Sequence, residues 1–204
     1  SGELLTLEET VAIQRGSESP CLYGTAIHAD NYFYKLKGYG AVKPDIAVIG
    51  SSTTMLLAES FFQGKAYNLG GAMTSIVQGE HLVNAMLAIH SPKHIILGVD
   101  FWWFNTAYVK SDYQKKPPQE QARITSLRPL FLPFVWMYEG KLSIRDYVQT
   151  LLYGYDRKEG CFLGVRALQY GSGFHADGSY DYTGTITGNV PSDSEKFDST
   201  LMQI

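Results

Sequence analysis

Asp45-Ile46-Ala47-Val48-Ile49-Gly50-Ser51-Ser52 is the stretch whose reading decides the fold. After Pro44, a short apolar run rich in β-branched residues, with no polar alternation, has the pattern of a strand covered on both faces in a parallel sheet. A helix should follow, with Thr53 or Thr54 capping the series Met55, Leu56, Leu57, Phe61 and Phe62. A second short strand, residues 66–69, stops at Gly70-Gly71. Ser75 and Gln78 form a capping-box pattern ahead of Ile76, Val83, Met86, Leu87 and Ile89, and Pro92 closes that helix. His94-Ile95-Ile96-Leu97-Gly98-Val99-Asp100 reads as a third buried strand. Strands joined by such crossovers must run parallel, with right-handed connections. The expected fold class is α/β: a three-layer sandwich with a parallel sheet, an N-terminal arm and an irregular C-terminal part.

Outward from this core, residues 1–43 are polar and turn-rich and read as an arm. Tyr32, Phe33, Tyr34 and Leu36 should pack it onto the domain, because four large apolar side chains are costly to leave wet. His28 lies in this arm. Residues 44–204 are then the α/β domain. Past Asp100 comes an aromatic cluster, Phe101-Trp102-Trp103-Phe104, more in keeping with a core than with a sugar platform. Residues 110–121, with Lys115-Lys116-Pro117-Pro118, read as an exposed loop, and residues 126–137 are apolar but broken by Pro129 and Pro133. Ser143 caps an expected helix reaching Leu151, Leu152 and Tyr153, with Ile144, Tyr147, Val148 and Leu151 on one face. Residues 154–189 have the Gly, Tyr, Asp and Thr content of loops or short strands.

The bulk numbers exclude some classes. With 17 basic and 20 acidic residues among 204, the net charge of -3 gives no broad field to draw in nucleic acid. No apolar run approaches the roughly twenty residues needed to span a bilayer. Ser1-Gly2 reads as a vector-derived scar, so a targeting or anchoring segment is expected outside this sequence. Cys21 and Cys161 fit neither a metal spacing nor a CxxC motif, and stand either as a pair or as buried thiols. No metal or cofactor motif is found.

Ligands of parallel α/β sheets sit beyond the carboxyl ends of the strands. The three strands end in Gly50-Ser51-Ser52, in Asn68-Leu69-Gly70-Gly71 and in Gly98-Val99-Asp100. A serine in a strand-to-helix turn exposes its hydroxyl at the top of the sheet, beside a backbone amide under the helix dipole. Ser52, at the tip, should be presented, while Ser51 caps or braces the turn. Bare backbone at Gly70 and Gly71 would admit a substrate closely and add a donor amide. His175, in the polar loop Gly173-Phe174-His175-Ala176-Asp177-Gly178-Ser179, is the in-chain candidate for a base. His81 and His90 fall on the second helix, and His94 opens a strand.

Residues 44–52, 67–71 and 95–105 resemble the blocks of the SGNH, or GDSL-like, hydrolases. The resemblance is nearest to bacterial extracytoplasmic SGNH-like proteins, a group including alginate O-acetyltransferases and the D-alanine transfer protein of teichoic-acid modification. It covers about residues 30–110 well and the remainder in patches. It implies an SGNH/flavodoxin-like fold and makes Ser52 the nucleophile, with Ser51 in the place of the Asp of Gly-Asp-Ser. Gly71 matches the second-block glycine, and Asp100 stands where the third block has an oxyanion-donating Asn. An ionised carboxylate accepts and does not donate, so Asp100 departs from the pattern. None of the five histidines has an Asp three residues before it, so the family's Asp-x-x-His block is missing, and the chain is expected to be part of a longer protein.

The resemblance implies a serine esterase or acyltransferase acting on an acylated carbohydrate or an acyl donor. Its setting would be extracytoplasmic, in the periplasm or at the cell surface, during polysaccharide modification. Membrane-anchored or cell-envelope partners and an anchor outside this sequence are implied as well. A non-catalytic module binding glycan or a partner protein is the alternative, favoured by Asp100 and by the missing base. A flavodoxin-like nucleotide binder is disfavoured, because neither GxGxxG nor a P-loop occurs.

Overall fold

A computed structural model describes residues 2–3, 5–25, 31–105, 128–140, 142–153, 156–157 and 160–182. The first half of the chain runs α1 (Leu7–Gly16), β1 (Cys21–Tyr23), α2 (Asn31–Val42), β2 (Ile46–Ile49), β3 (Ala66–Asn68), α3 (Ile76–Ile89) and β4 (His94–Leu97). The second half runs α4 (Arg128–Tyr138), α5 (Ile144–Tyr153), β5 (Asp156–Arg157), β6 (Gly160–Leu163), α6 (Val165–Tyr170), β7 (Ser172–Phe174) and β8 (Tyr180–Tyr182). His28 and the expected loop at 110–121 lie outside the described residues.

The fold is mixed α/β. One sheet is parallel throughout, in the order β3-β2-β4, so the three strands read from sequence pair as expected. Ala47 stands opposite Tyr67 on one side and Ile95 on the other. The central place of β2 explains its unbroken apolar run, for Ala47 and Val48 are fully buried. Ser75 caps α3 by accepting the Gln78 amide, while the Gln78 side chain reaches back to Thr74, one residue earlier than a standard capping box. Leu82 and Met86 of α3 meet Tyr32, Leu36 and Tyr39 of α2 over Ala47 and Ile49 in one core.

Several expectations are corrected. No α-helix follows β2: the chain makes 3-10 turns at Ser52–Leu56 and Glu59–Phe61, and Ser51 is the cap in place of Thr53 or Thr54. The crossover from β2 to β3, which pairs directly beside it, carries these turns in place of a helix. The apolar run of β4 reads as a buried strand, yet all four of its residues are exposed. It is an edge strand, paired among the described strands with β2 alone. The stretch broken by Pro129 and Pro133 is helix α4, with Pro133 inside it. Ser143 caps α5 as expected, but Ile144 is 72% exposed.

The segment read as a turn-rich arm is regular structure. Thr6 and Glu9 close a full capping box on α1. Tyr32, Tyr34 and Leu36 are indeed buried and Phe33 partly so, but on helix α2. β1 is the central strand of a second sheet, ordered β5-β6-β1-β7-β8, parallel to β6 and antiparallel to β7. Segments from the two halves of the chain thus build one sheet. Cys21 lies opposite Cys161 in the parallel register, and the two form a disulfide. Leu7, Val11, Tyr23, Tyr34, Leu163 and Phe174 pack around that pair in a second core.

Helix α2 serves both cores, Tyr32, Leu36 and Tyr39 in one and Tyr34 in the other. Between them points Lys35, with no exposed surface. Its ammonium donates to the carbonyls of Asn68, at the end of β3, and Gly178, in the β7–β8 turn, and lies 4.5 Å from the centre of the Phe174 ring. The same turn accepts the Asn68 amide on the Asp177 carbonyl at 2.7 Å. The two sheets are joined at this point.

Two outcomes follow from these contacts. Burial pulls Lys35 down from 10.5 to about 7, with Asp177 opposing the shift. The unfolded chain therefore holds that proton more tightly than the fold does, and raising the pH between these values stabilises the fold, by up to about 1.4 kcal/mol per pH unit. Urea unfolding followed from about pH 7.5 to 9, below tyrosine ionisation, should show this rise, and Lys35→Met should remove it. A Lys35→Met protein with an unchanged slope would contradict the assignment. Across a separation of 140 residues, the disulfide withdraws about 5 kcal/mol of chain entropy from the unfolded state. Replacing both cysteines with serine should therefore cost several kcal/mol, and a loss below about 1 kcal/mol would show that the second sheet does not need the bond.

Candidate functional site

The carboxyl end of β2 runs into Gly50 and then into the 3-10 turn. Ser51 is buried: its hydroxyl accepts the Thr53 amide at 3.3 Å and lies 3.0 Å from the Thr53 hydroxyl. Ser52, one residue on, is exposed at the first position of the turn. Of the two serines, Ser52 is thus the exposed one and Ser51 the one that braces the turn.

Ser52 lines a cavity of about 270 Å³ between the turn that follows β2 and the second sheet. Asn31 from the start of α2, Met55 from the turn and Arg166 from α6 contribute to its wall. Tyr23, Phe174, Tyr180 and Tyr182 of the second sheet supply aromatic surface. Among these described residues Arg166 alone is charged, so the cavity carries one positive charge beside a hydroxyl and several flat rings. That composition suits a partly polar ligand with ring or acyl faces. No sequence signal points to Asn31, Arg166, Tyr180 or Tyr182, because they come from elements far apart in the chain.

His175 is not in this cavity. It lines a second one, of about 580 Å³, whose wall shares only Tyr180 with the first. There its ring nitrogen Nε2 stands 3.9 Å from Asp181, in company with Glu18, Glu59 and Asp177. The backbone explains the displacement. His175 opens the turn between β7 and β8, its amide donates to the Ser179 carbonyl, and Asp177 holds the turn by accepting the amide and hydroxyl of Ser179. His81, His90 and His94 line neither cavity.

The other strand-end residues are spent inside the fold. Asn68 is 2% exposed; its side-chain amide donates to the Thr54 and Leu57 carbonyls and its oxygen accepts the Gly70 amide at 2.6 Å. The Gly71 amide donates to the Gly50 and Ser51 carbonyls. The Gly70 and Gly71 amides, expected as oxyanion donors, are thus engaged by the backbone reversal that carries the chain under β2. Asp100 is buried and accepts the Thr53 hydroxyl at 3.4 Å, while its second oxygen has no partner among the described residues. Here it acts as an acceptor that ties the chain beyond β4 to the serine turn. No group of three or more His, Cys, Asp or Glu side chains among the described residues could hold a metal ion.

Comparison with known proteins returns no match: no protein-family model, no curated protein and no solved structure matches this chain.

Asn68 is the residue on which the site's floor should depend most. Asn68→Ala would leave the buried Gly70 amide without its acceptor and take one donor each from the Leu57 carbonyl and from the Thr54 carbonyl, which keeps the Leu57 amide, at roughly 2 kcal/mol in denaturant unfolding. A loss below about 1 kcal/mol would mean that the turn finds other partners.

Proposed function

We propose that this chain is an SGNH-like module of the bacterial cell envelope that presents Ser52 to an acylated carbohydrate, and that it acts as an esterase or acyltransferase on the ester-linked acyl group. The observation that carries this reading is the exposed Ser52 beyond the central parallel strand, at a cavity walled by tyrosines, Asn31 and Arg166. In the reaction, Ser52 Oγ adds to the ester carbonyl carbon. The bond from that carbon to the alcohol oxygen breaks, and a base carries the serine proton to the departing alcohol. Water or an acceptor hydroxyl then takes the acyl group from Ser52. The three-layer sandwich of such a module would place further helices over the face that β4 leaves open.

The setting is supported by chemistry. A buried disulfide between Cys21 and Cys161 belongs in an oxidising compartment, such as the periplasm or cell surface. No helix among the described residues is long and apolar enough to cross a membrane.

A second reading, a non-catalytic module that binds glycan or a partner protein, is favoured by two observations. His175 lies in the other cavity, and the Gly70 and Gly71 amides are occupied. A fluorophosphonate probe separates the readings, since it phosphonylates only an activated serine. Labelling of the intact protein that vanishes with Ser52→Ala and persists with Ser51→Ala is the result expected of the enzyme. Ser51→Ala should also cost about 1 kcal/mol as a lost cap. No labelling of the intact protein favours the binding module, whereas labelling that survives Ser52→Ala and is lost with Ser51→Ala shows that Ser51 is the reactive serine.

A further inference from the structure

Gly50, Gly70 and Gly98 stand at the carboxyl ends of β2, β3 and β4, and all three face one side chain, that of Thr54. A Cβ placed on Gly50 would lie 2.7 Å from the Thr54 methyl and 2.8 Å from its hydroxyl. On Gly70 it would press into the hydroxyl, and on Gly98 into the methyl, closer still. Real Cβ atoms do not approach so near, so the three glycines are matched to the volume of one threonine. Thr54 is buried, and its hydroxyl donates to the Ser51 carbonyl at 2.9 Å. Its own carbonyl accepts from the Asn68 side chain at 2.7 Å, and its amide donates to the Ser51 carbonyl at 3.2 Å.

We infer that Thr54 is the positioning residue of the Ser52 site: its side chain plugs the space that the three strand-end glycines leave open, and so fixes where the turn presents Ser52. The branched side chain is needed for both halves of the job. The methyl fills the gap at Gly98, between β2 and β4, while the hydroxyl sits against Gly70 and ties the turn to Ser51. One residue thereby registers the turn against all three strands, without itself reaching the Ser52 cavity, whose wall does not include it. The inference rests on Ser52 as the presented residue, but not on any catalysis by it.

The test reads position rather than turnover. Ser52→Cys places one free thiol in a protein whose two native cysteines are joined to each other. Its alkylation rate by iodoacetamide reports exposure and local charge at position 52. Adding Thr54→Ser, which removes only the methyl, should change that rate about threefold or more. Val83→Ala, a truncation beside the core of the parallel sheet, which gives no residue to the cavity wall, should leave it unchanged. Gly98→Ala should lower the melting temperature, and Thr54→Ser should restore part of the loss in the double variant, because the methyl that the added Cβ would meet is then absent. An alkylation rate unmoved by Thr54→Ser overturns the inference. So do Gly98→Ala and Thr54→Ser effects on melting that simply add. Should Gly98→Ala alone fail to fold, recovery of a folded double variant supports the plug, and its absence counts against it. If the fluorophosphonate probe labels nothing, the proposed chemistry at Ser52 fails while these thiol and melting measurements still decide the role of Thr54.

Discussion

The ammonium of Lys35 sits where two sheets, two cores and one turn meet. A lysine with no exposed surface is tolerated only when its donors are satisfied, and here two carbonyls and the face of Phe174 provide that. One carbonyl belongs to the strand end beneath the serine turn and the other to the hairpin that closes the second sheet. Removing the cation would leave two acceptors and a cavity at the junction, so the arrangement is held by mutual dependence rather than by net electrostatic gain. Tyr34 and Tyr67 flank the same junction, and burial pushes the pKa of both phenols well above the ordinary tyrosine value. The junction thus keeps these neighbours uncharged while it accommodates one titrating amine.

From that junction the site assembles in steps. Lys35 and the Asp177 carbonyl hold the main chain of Asn68 from two sides, and the Asn68 side chain then holds the carbonyls of Thr54 and Leu57. The serine turn is thereby suspended over the parallel sheet by an asparagine whose own position is set by the second sheet. The same hairpin turn that fixes Asn68 carries His175 away into the other cavity. A single loop conformation therefore stabilises the turn that presents Ser52 and keeps the nearby imidazole out of its cavity.

Part of this is legible in the sequence alone. The strand–crossover–strand order of residues 45–100, the cap at Ser75 and the exposure of Ser52 rather than Ser51 follow from local chemistry: β-branched runs, cap residues and the geometry of a chain leaving a strand. Two further local signals point to helices where a turn-rich arm was expected. Thr6 and Glu9 have the spacing of a capping box, and Tyr32, Leu36 and Tyr39 recur at helical spacing, so α1 and α2 are within reach of pattern reading. Two glycines, Gly38 and Gly40, disguise α2 as a loop. Gly38 is there because the Tyr67 ring packs so closely that a Cβ would collide with it.

What the sequence by itself determined is the parallel sheet and the identity of the residues at its carboxyl end, because those depend on hydrophobic period and turn chemistry within a few residues. Only the tertiary structure decided what those residues face. The second sheet pairs Cys21 with Cys161 and joins strands from distant parts of the chain, a contact between residues 140 apart that no local pattern encodes. The exposure of β4 likewise depends on which elements lie beside it and not on its own residues. The wall of the Ser52 cavity, the burial of Lys35 and the removal of His175 to a separate cavity all arise where the two sheets meet. They are properties of packing between distant segments, and the residues involved have no spacing in the sequence that would announce them.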